Sequence, residues 1–206
     1  MNRDDVKLEA RENLHQGFFR MDHFQLRHRL FAGDWSPVLS REIMLRDPVA
    51  AVIPYDPVLD RVVLIEQFRG GMFVAGDPRP WSIEIVAGII EKDETVAEMA
   101  RRETLEETGC RVGRLEKVMD FYPSPGGCSE FVTVFCGEVS SDGVGGIHGL
   151  AEEGEDIRVF TESVDDAIAH VASGAINNSI GIIGVQWLAL NRSALRRRWD
   201  QARNET

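Results

Sequence analysis

The sequence has no surplus of positive charge: 23 lysines and arginines face 34 aspartates and glutamates, a formal net charge of −11. That balance argues against a nucleic-acid surface, because phosphate backbones are held mainly by excess Lys and Arg. Cysteine is scarce as well. Cys110, Cys128 and Cys136 are odd in number and too far apart for a zinc-ligand spacing, so neither a secreted disulfide framework nor a zinc ribbon is expected. Long apolar runs are also missing. The greasiest stretch, residues 180–190, is too short to span a bilayer, and the charged N-terminus MNRDDVKLEARENLHQ has no signal core. The expectation is a soluble cytoplasmic protein with no nucleic-acid or membrane partner, long enough at 206 residues and 43% hydrophobic to bury a core.

Along the chain the pattern changes once. Residues 1–46 alternate short apolar runs with charges around the turn signal Gly33–Asp34, and read as a small β-rich piece. The remainder, 47–206, opens with three β-branched runs, AAVIPY, RVVLIEQF and WSIEIVAG, each expected to be one strand. A helix follows, started by the possible capping box Thr95–Glu98 and stopped by Gly109. Strands are expected near 115–122, 131–139 and 157–160. Between the last two, SSDGVGGIHGLAEEGED reads as a long acidic loop of the kind that is functional or disordered. Two helices close the chain, one over 164–173 between Ser163 and Gly174, and one from 180 to about 198 capped by Ser179.

The informative segment is GIIEKDETVAEMARRETLEETGC, from Gly88 to Cys110. Glu103, Glu106 and Glu107 stand at i, i+3 and i+4, so three carboxylates occupy one arc of the helix. Like charges at this spacing destabilise an isolated helix, whereas a hard cation such as Mg²⁺ takes oxygen ligands and reverses the sign. Taken alone, the arc also fits a solvated charged face, because Glu98–Arg102 and Arg102–Glu106 make i,i+4 pairs.

Spacing over the whole segment goes further. It resembles the Nudix box, a glycine, five residues, a glutamate, seven residues, then R-E-U-x-E-E-x-G-U with U aliphatic. Gly88, Glu94, Arg102, Glu103, Glu106, Glu107 and Gly109 fall at every fixed position; Thr104 and Cys110 depart at two aliphatic ones. The resemblance implies an α/β fold, a Nudix α/β/α sandwich with a mixed sheet, plus the small N-terminal piece. It implies Glu103 and Glu107 as principal metal ligands and catalytic groups, helped by the backbone carbonyl of Ala87 and by Glu106, with Mg²⁺ or Mn²⁺ as the cofactor. Glu94 and Arg102 would hold the loop–helix–loop together.

Outside the box, SPGGCSE with Pro125 about fifteen positions beyond it, GIHGLAEEGEDIRV and VVLIEQFR resemble the bacterial ADP-ribose pyrophosphatase group. By that resemblance the substrate would be ADP-ribose, cleaved at its diphosphate to AMP and ribose 5-phosphate. Arg69 would contact a phosphate, Glu84, Ser124 and Glu130 would contact ribose or phosphate, and Phe18 and Arg41 would flank the adenine, partly from a second subunit of a homodimer built through residues 1–46. Glu153 would activate the attacking water and Glu155 would be a metal-side carboxylate. His148 stays open as an alternative base because imidazole titrates near neutrality. The alternatives are another nucleoside diphosphate sugar, an ADP- or GDP-hexose, as substrate, or a module that senses ADP-ribose without cleaving it. A sensing module would be expected to lose box carboxylates, and here all are present.

Overall fold

The computed structural model describes residues 1–204, apart from the side chains of Glu153 and of residues 202–204. The chain forms two compact units, one of residues 1–48 and 121–131 and the other of residues 49–120 and 132–206.

The first unit is a three-stranded antiparallel sheet, β1 (Val6–Gln16), β2 (Arg20–His28) and β3 (Leu39–Leu45), in that spatial order. Two register shifts, between Leu8 and Ala10 and between Asn13 and His15, bend β1 against β2. Every residue of β1 is exposed, the mark of an edge strand with one side unpaired. The central strand buries a single charge, Asp22, and the neighbouring side chains exist to satisfy it. Arg20 donates to both its oxygens at 2.9 and 2.8 Å, Arg11 Nε donates at 2.6 Å and Asn13 Nδ2 at 2.9 Å. Such a carboxylate is stable only while fully paired.

The second unit is a mixed sheet of eight strands. Its strands are β4 (Val49–Asp56), β5 (Arg61–Phe68), β6 (Trp81–Glu84), β7 (Val86–Ile89), β8 (Leu115–Phe121), β9 (Val132–Glu138), β10 (Gly146–His148) and β11 (Ile157–Ser163). The order is β10-β11-β5-β4-β9-β8, with β6 paired to β5 and β7 to β4; β4 and β9 run parallel, and the other detailed pairs are antiparallel. The helices are α1 (Gly70–Val74), α2 (Val96–Thr108), α3 (Val164–Ser173) and α4 (Ser179–Asn204).

Strand β4 is buried at every position, as a strand covered on both faces must be. Ala50 and Val52 join Met99 and Ala100 of α2 in one cluster, whereas Gly184 of α4 lies against Ile53 and Ile85. Alternate residues of a strand point to opposite faces, so α2 and α4 cover opposite sides of the sheet and the α/β/α sandwich follows. None of the described helices is long and apolar enough to cross a membrane.

Three details differ from the sequence reading. The run WSIEIVAG is two strands: after Ile85 the chain leaves β5 and pairs instead with β4, so one apolar run serves two neighbours. Helix α4 starts at Ser179, and its cap is Asn178, whose Oδ1 accepts the Gly181 N–H at 2.8 Å. Ser179 is therefore the first helical residue, because the amide oxygen one position earlier takes the orphan donor. The acidic loop is partly ordered, carrying β10 and a short 3-10 turn over Ala151–Glu153.

The Arg20 guanidinium holds the Asp22 carboxyl well below the usual carboxylate range. A lowered folded pKa contributes stability that is full above the unfolded value of about 3.9 and is lost as pH falls through the folded one. Asp22→Asn should therefore destabilise the first unit at pH 7, with a deficit against wild type that narrows below about pH 4. Thermal melts at neutral and acid pH measure it, and a deficit that is unchanged with pH would contradict the assignment.

Candidate active site

Helix α2 is set between two firm ends. Thr95 Oγ1 accepts the Glu98 N–H at 3.2 Å while Glu98 Oε2 accepts the Thr95 N–H at 2.9 Å, a complete capping box. At the other end Gly109 adopts φ +71 and returns its N–H to the Leu105 carbonyl, a left-handed turn that a side chain would strain. The register of the helix is thereby fixed, and with it the direction of Glu103, Glu106 and Glu107.

One arginine organises those carboxylates. Arg102 Nε and Nη2 donate to Glu94 at 2.9 and 3.0 Å, and Nη1 donates to Glu103 at 2.9 Å and Glu106 at 3.0 Å. Glu94 in turn accepts the Glu91 N–H, so the loop before the helix is tied to the helix. Arg102 pulls the Glu94 pKa below its ordinary value. Glu103 goes the other way: burial raises it, against the opposing pull of Arg102.

Glu107 is the exceptional group. It is 3% exposed, its Oε2 is buried with no hydrogen-bond partner, and burial together with the charges of Glu103 and Glu155 raises its pKa well above the ordinary value. An unpaired buried carboxylate is costly and calls for a counter-charge. Nearby, a Cβ on Gly88 would stand 2.2 Å from Glu103 Oε1, so only glycine lets that carboxylate lie against the backbone of β7, where Ala87 is the preceding residue. Among the described residues no three His, Cys, Asp or Glu side chains already converge at metal-ligand spacing, and Glu103 is turned toward Arg102. The donor set is nevertheless of the right kind for a hard divalent cation, carboxylate oxygens with one of them buried and unpaired.

Glu155 lies near enough to raise both Glu103 and Glu107 electrostatically. Its own Oε2 accepts the Leu150 N–H at 3.0 Å and its N–H donates to the Leu150 carbonyl, closing the base of the acidic loop. Glu153 sits in the 3-10 turn at the tip, and its side chain lies outside the described residues. His148 turns Nε2 to the Gly145 carbonyl at 3.1 Å, and its ring packs against Gly109. Arg69 and Glu84 meet in a two-point ion pair, Nε to Oε1 at 2.9 Å and Nη2 to Oε2 at 2.6 Å.

Phe18, Arg41, Ser124 and Glu130 belong to the first unit. Phe18 is 86% exposed, edge-on to Phe19 at 4.9 Å. Arg41 donates to the Ser40 carbonyl and pairs across the sheet with Phe24. The Ser124 carbonyl accepts the Gly127 and Cys128 N–H groups. Glu130 pairs with Arg46 at 3.2 Å, and Arg46 covers the Phe19 ring at 4.8 Å. Arg46 is the residue that sequence reasoning passed over: at the end of β3 it belongs to no motif, and only folding places it beside the aromatic pair. Two surface cavities, of about 680 and 310 Å³, are lined by other residues, such as Arg111 and Asp142 in the first and Trp81 and Asn177 in the second, and contain none of the box carboxylates.

The site joins a mixed sheet between helices, Gly88 on β7 and a carboxylate helix tied together by Arg102. A NUDIX domain model matches residues 44–180, and the chain belongs to that family. The ADP-ribose pyrophosphatase of Escherichia coli strain K12 is 46% identical over 197 residues, covering 96% of this chain and 94% of the relative. That of Haemophilus influenzae is 39% identical over 203 residues, covering 98% and 94%. The crystal structure of an ADP compounds hydrolase superposes with a TM-score of 0.69 at 16% identity, covering 98% of this chain and 97% of that one, a likeness of fold.

Because burial raises Glu107, its charged form costs stability at neutral pH, and that cost is relieved as pH falls and the carboxyl protonates. Glu107→Gln should therefore melt at or above the wild-type temperature without metal at pH 7, and a cation held by Glu107 would raise the melting temperature of the wild type but not of the variant. A variant that melts lower without metal but keeps a rise with Mg²⁺ would show that Glu107 holds no cation.

Proposed function

We propose that this protein is a Mg²⁺-dependent hydrolase that cleaves the diphosphate of ADP-ribose to AMP and ribose 5-phosphate, with Mn²⁺ as a possible substitute. The observation that carries the reading is the near full-length similarity to the Escherichia coli and Haemophilus influenzae ADP-ribose pyrophosphatases, together with a box that keeps every carboxylate. A module that only senses ADP-ribose would have no use for Glu107 as a buried, unpaired carboxyl group.

In this reading Glu103 and Glu107 hold the cations directly, with the Ala87 carbonyl, Glu106 and Glu155 as further oxygen donors. When bound, the cations neutralise the diphosphate and polarise phosphorus. Arg69 offers a phosphate oxygen its guanidinium edge. Phe18 and Arg41, partly from a second subunit, present flat faces to the adenine, and Ser124 and Glu130 contribute polar contacts to ribose or phosphate. Glu153 takes the proton from the attacking water as the new phosphorus–oxygen bond forms and the bridging bond breaks; AMP departs with one phosphate and ribose 5-phosphate with the other.

The assembly proposed is a homodimer made through residues 1–46, with 47–206 as the hydrolase domain. An exposed edge strand with Leu8 and Leu14 on it and a nearly free Phe18 favour a second copy over solvent. The acidic balance disfavours a nucleic-acid partner, the three scattered cysteines suit a reducing cytoplasm, and a nucleotide sugar would need local arginines or cations to offset the repulsion. Deleting residues before Arg46 should give monomer or aggregate with weakened ADP-ribose affinity, read by light scattering and by KM. A stable monomer with unchanged KM would sink the homodimer.

The chemistry is tested by product analysis on ADP-ribose beside a panel of ADP- and GDP-hexoses, and ADP-ribose should be turned over fastest. General-base assistance contributes about 10²–10⁴ in rate, so Glu153→Gln should lose kcat in that range with KM and metal affinity little changed. If His148→Ala or Glu155→Gln abolishes kcat while Glu153→Gln stays active, the base has been assigned to the wrong residue.

A further inference from the structure

Arg69 and Glu84 were both expected to touch substrate, but their geometry gives them different jobs. Arg69 stands at the end of β5, immediately before α1, with its backbone N–H fixed to the Pro80 carbonyl at 2.8 Å. Glu84 ends β6 and is placed by the antiparallel register that sets Phe68 opposite Trp81 and Ile65 opposite Glu84. The guanidinium side chain is 45% exposed and the carboxylate 11%, so the arginine is in front and the glutamate behind it. Both carboxylate oxygens are taken by Arg69, through Nε and Nη2, and Nη1 carries no hydrogen bond among the described residues. A planar five-donor fork held at two points has its remaining edge aimed in one direction.

Arg69 lies in the field of Glu107 and Glu155 as well as Glu84. Glu107 Oε2 nevertheless takes no hydrogen bond from it. Anchored to Glu84, Arg69 is kept in place while Glu107 stays unpaired.

We propose that Glu84 does not touch the substrate and is a positioning residue, which holds Arg69 with its Nη1 edge toward a diphosphate oxygen. This deepens the proposed diphosphate hydrolysis and rests on it. Glu84 works through Arg69 alone, so its value vanishes when the guanidinium is gone.

A double-mutant cycle tests this with Glu84→Gln, Arg69→Ala and the double variant, assayed on whichever sugar of the panel is turned over fastest. A hydrogen bond to a charged group is typically worth about tenfold to a hundredfold, so Glu84→Gln should lower kcat/KM by that much, mostly through KM. In the Arg69→Ala background the same change should cost less than about twofold. A cost of tenfold or more there would mean that Glu84 contacts substrate itself and would overturn the proposal. If Glu84→Gln folds poorly on its own, the comparison of Arg69→Ala with the double variant, in which neither charge is left unpaired, still decides. A readout without substrate completes the test: the Arg69 Nε–H resonance should exchange slowly with water in the wild type and rapidly in Glu84→Gln. An exchange rate unmoved by Glu84→Gln would also overturn it. If the protected resonance is found while ADP-ribose is left intact, the choice of substrate falls and the anchoring of Arg69 stands.

Discussion

The ion pairs of Arg102 are the constraint on which the rest of the site depends. Three carboxylates on one arc of a helix repel one another, and without an organising cation the sequence ETLEE would favour a frayed or reoriented segment. A single guanidinium reaches back to Glu94 and forward to Glu103 and Glu106, so the repulsion is absorbed within the protein before any ligand arrives. Glu107 is left out of that arrangement. Its orphaned oxygen is a stability cost that nothing among the described residues offsets.

The same division of labour recurs in the other pairs. Asp22 in the first unit is satisfied by four donor bonds from three residues, and nothing about it asks for a ligand. Glu84 is satisfied by Arg69 from the front, and the pair leaves one donor edge over. Fully compensated charges hold the architecture, and incompletely compensated ones mark where chemistry is expected.

Much of this was legible in the sequence because it is local. The ends of α2 depend on Thr95, Glu98 and Gly109, the hydrogen bonds of Arg102 lie within eight positions, and β4 is announced as a strand by the run AAVIPY. What stayed hidden depends on partners distant along the chain. The break at Ile85 is invisible in WSIEIVAG, because it is the separate pairing with β5 and β4 that divides the run. The coupling of Arg69 to Glu84 spans fifteen positions across a strand register, and Arg46 beside Phe19 results from the return of β3 to the β1–β2 turn. Ser179 and Asn178 are equally good capping types, and only the backbone geometry chooses between them.

The first unit is discontinuous: its three strands come from the beginning of the chain, but residues 121–131 complete it, with the Gly127 carbonyl and the Ser129 N–H bonded to Met44 of β3. On a ribosome adding about 5–20 residues per second, the sheet therefore emerges several seconds before its last piece. Throughout that interval β3 has no covering segment and β1 has an open edge, while the whole carboxylate helix is being made. The nascent chain thus carries two exposed strand edges at its leading end, and the order of synthesis makes residues 121–131 the last piece of the first unit to arrive.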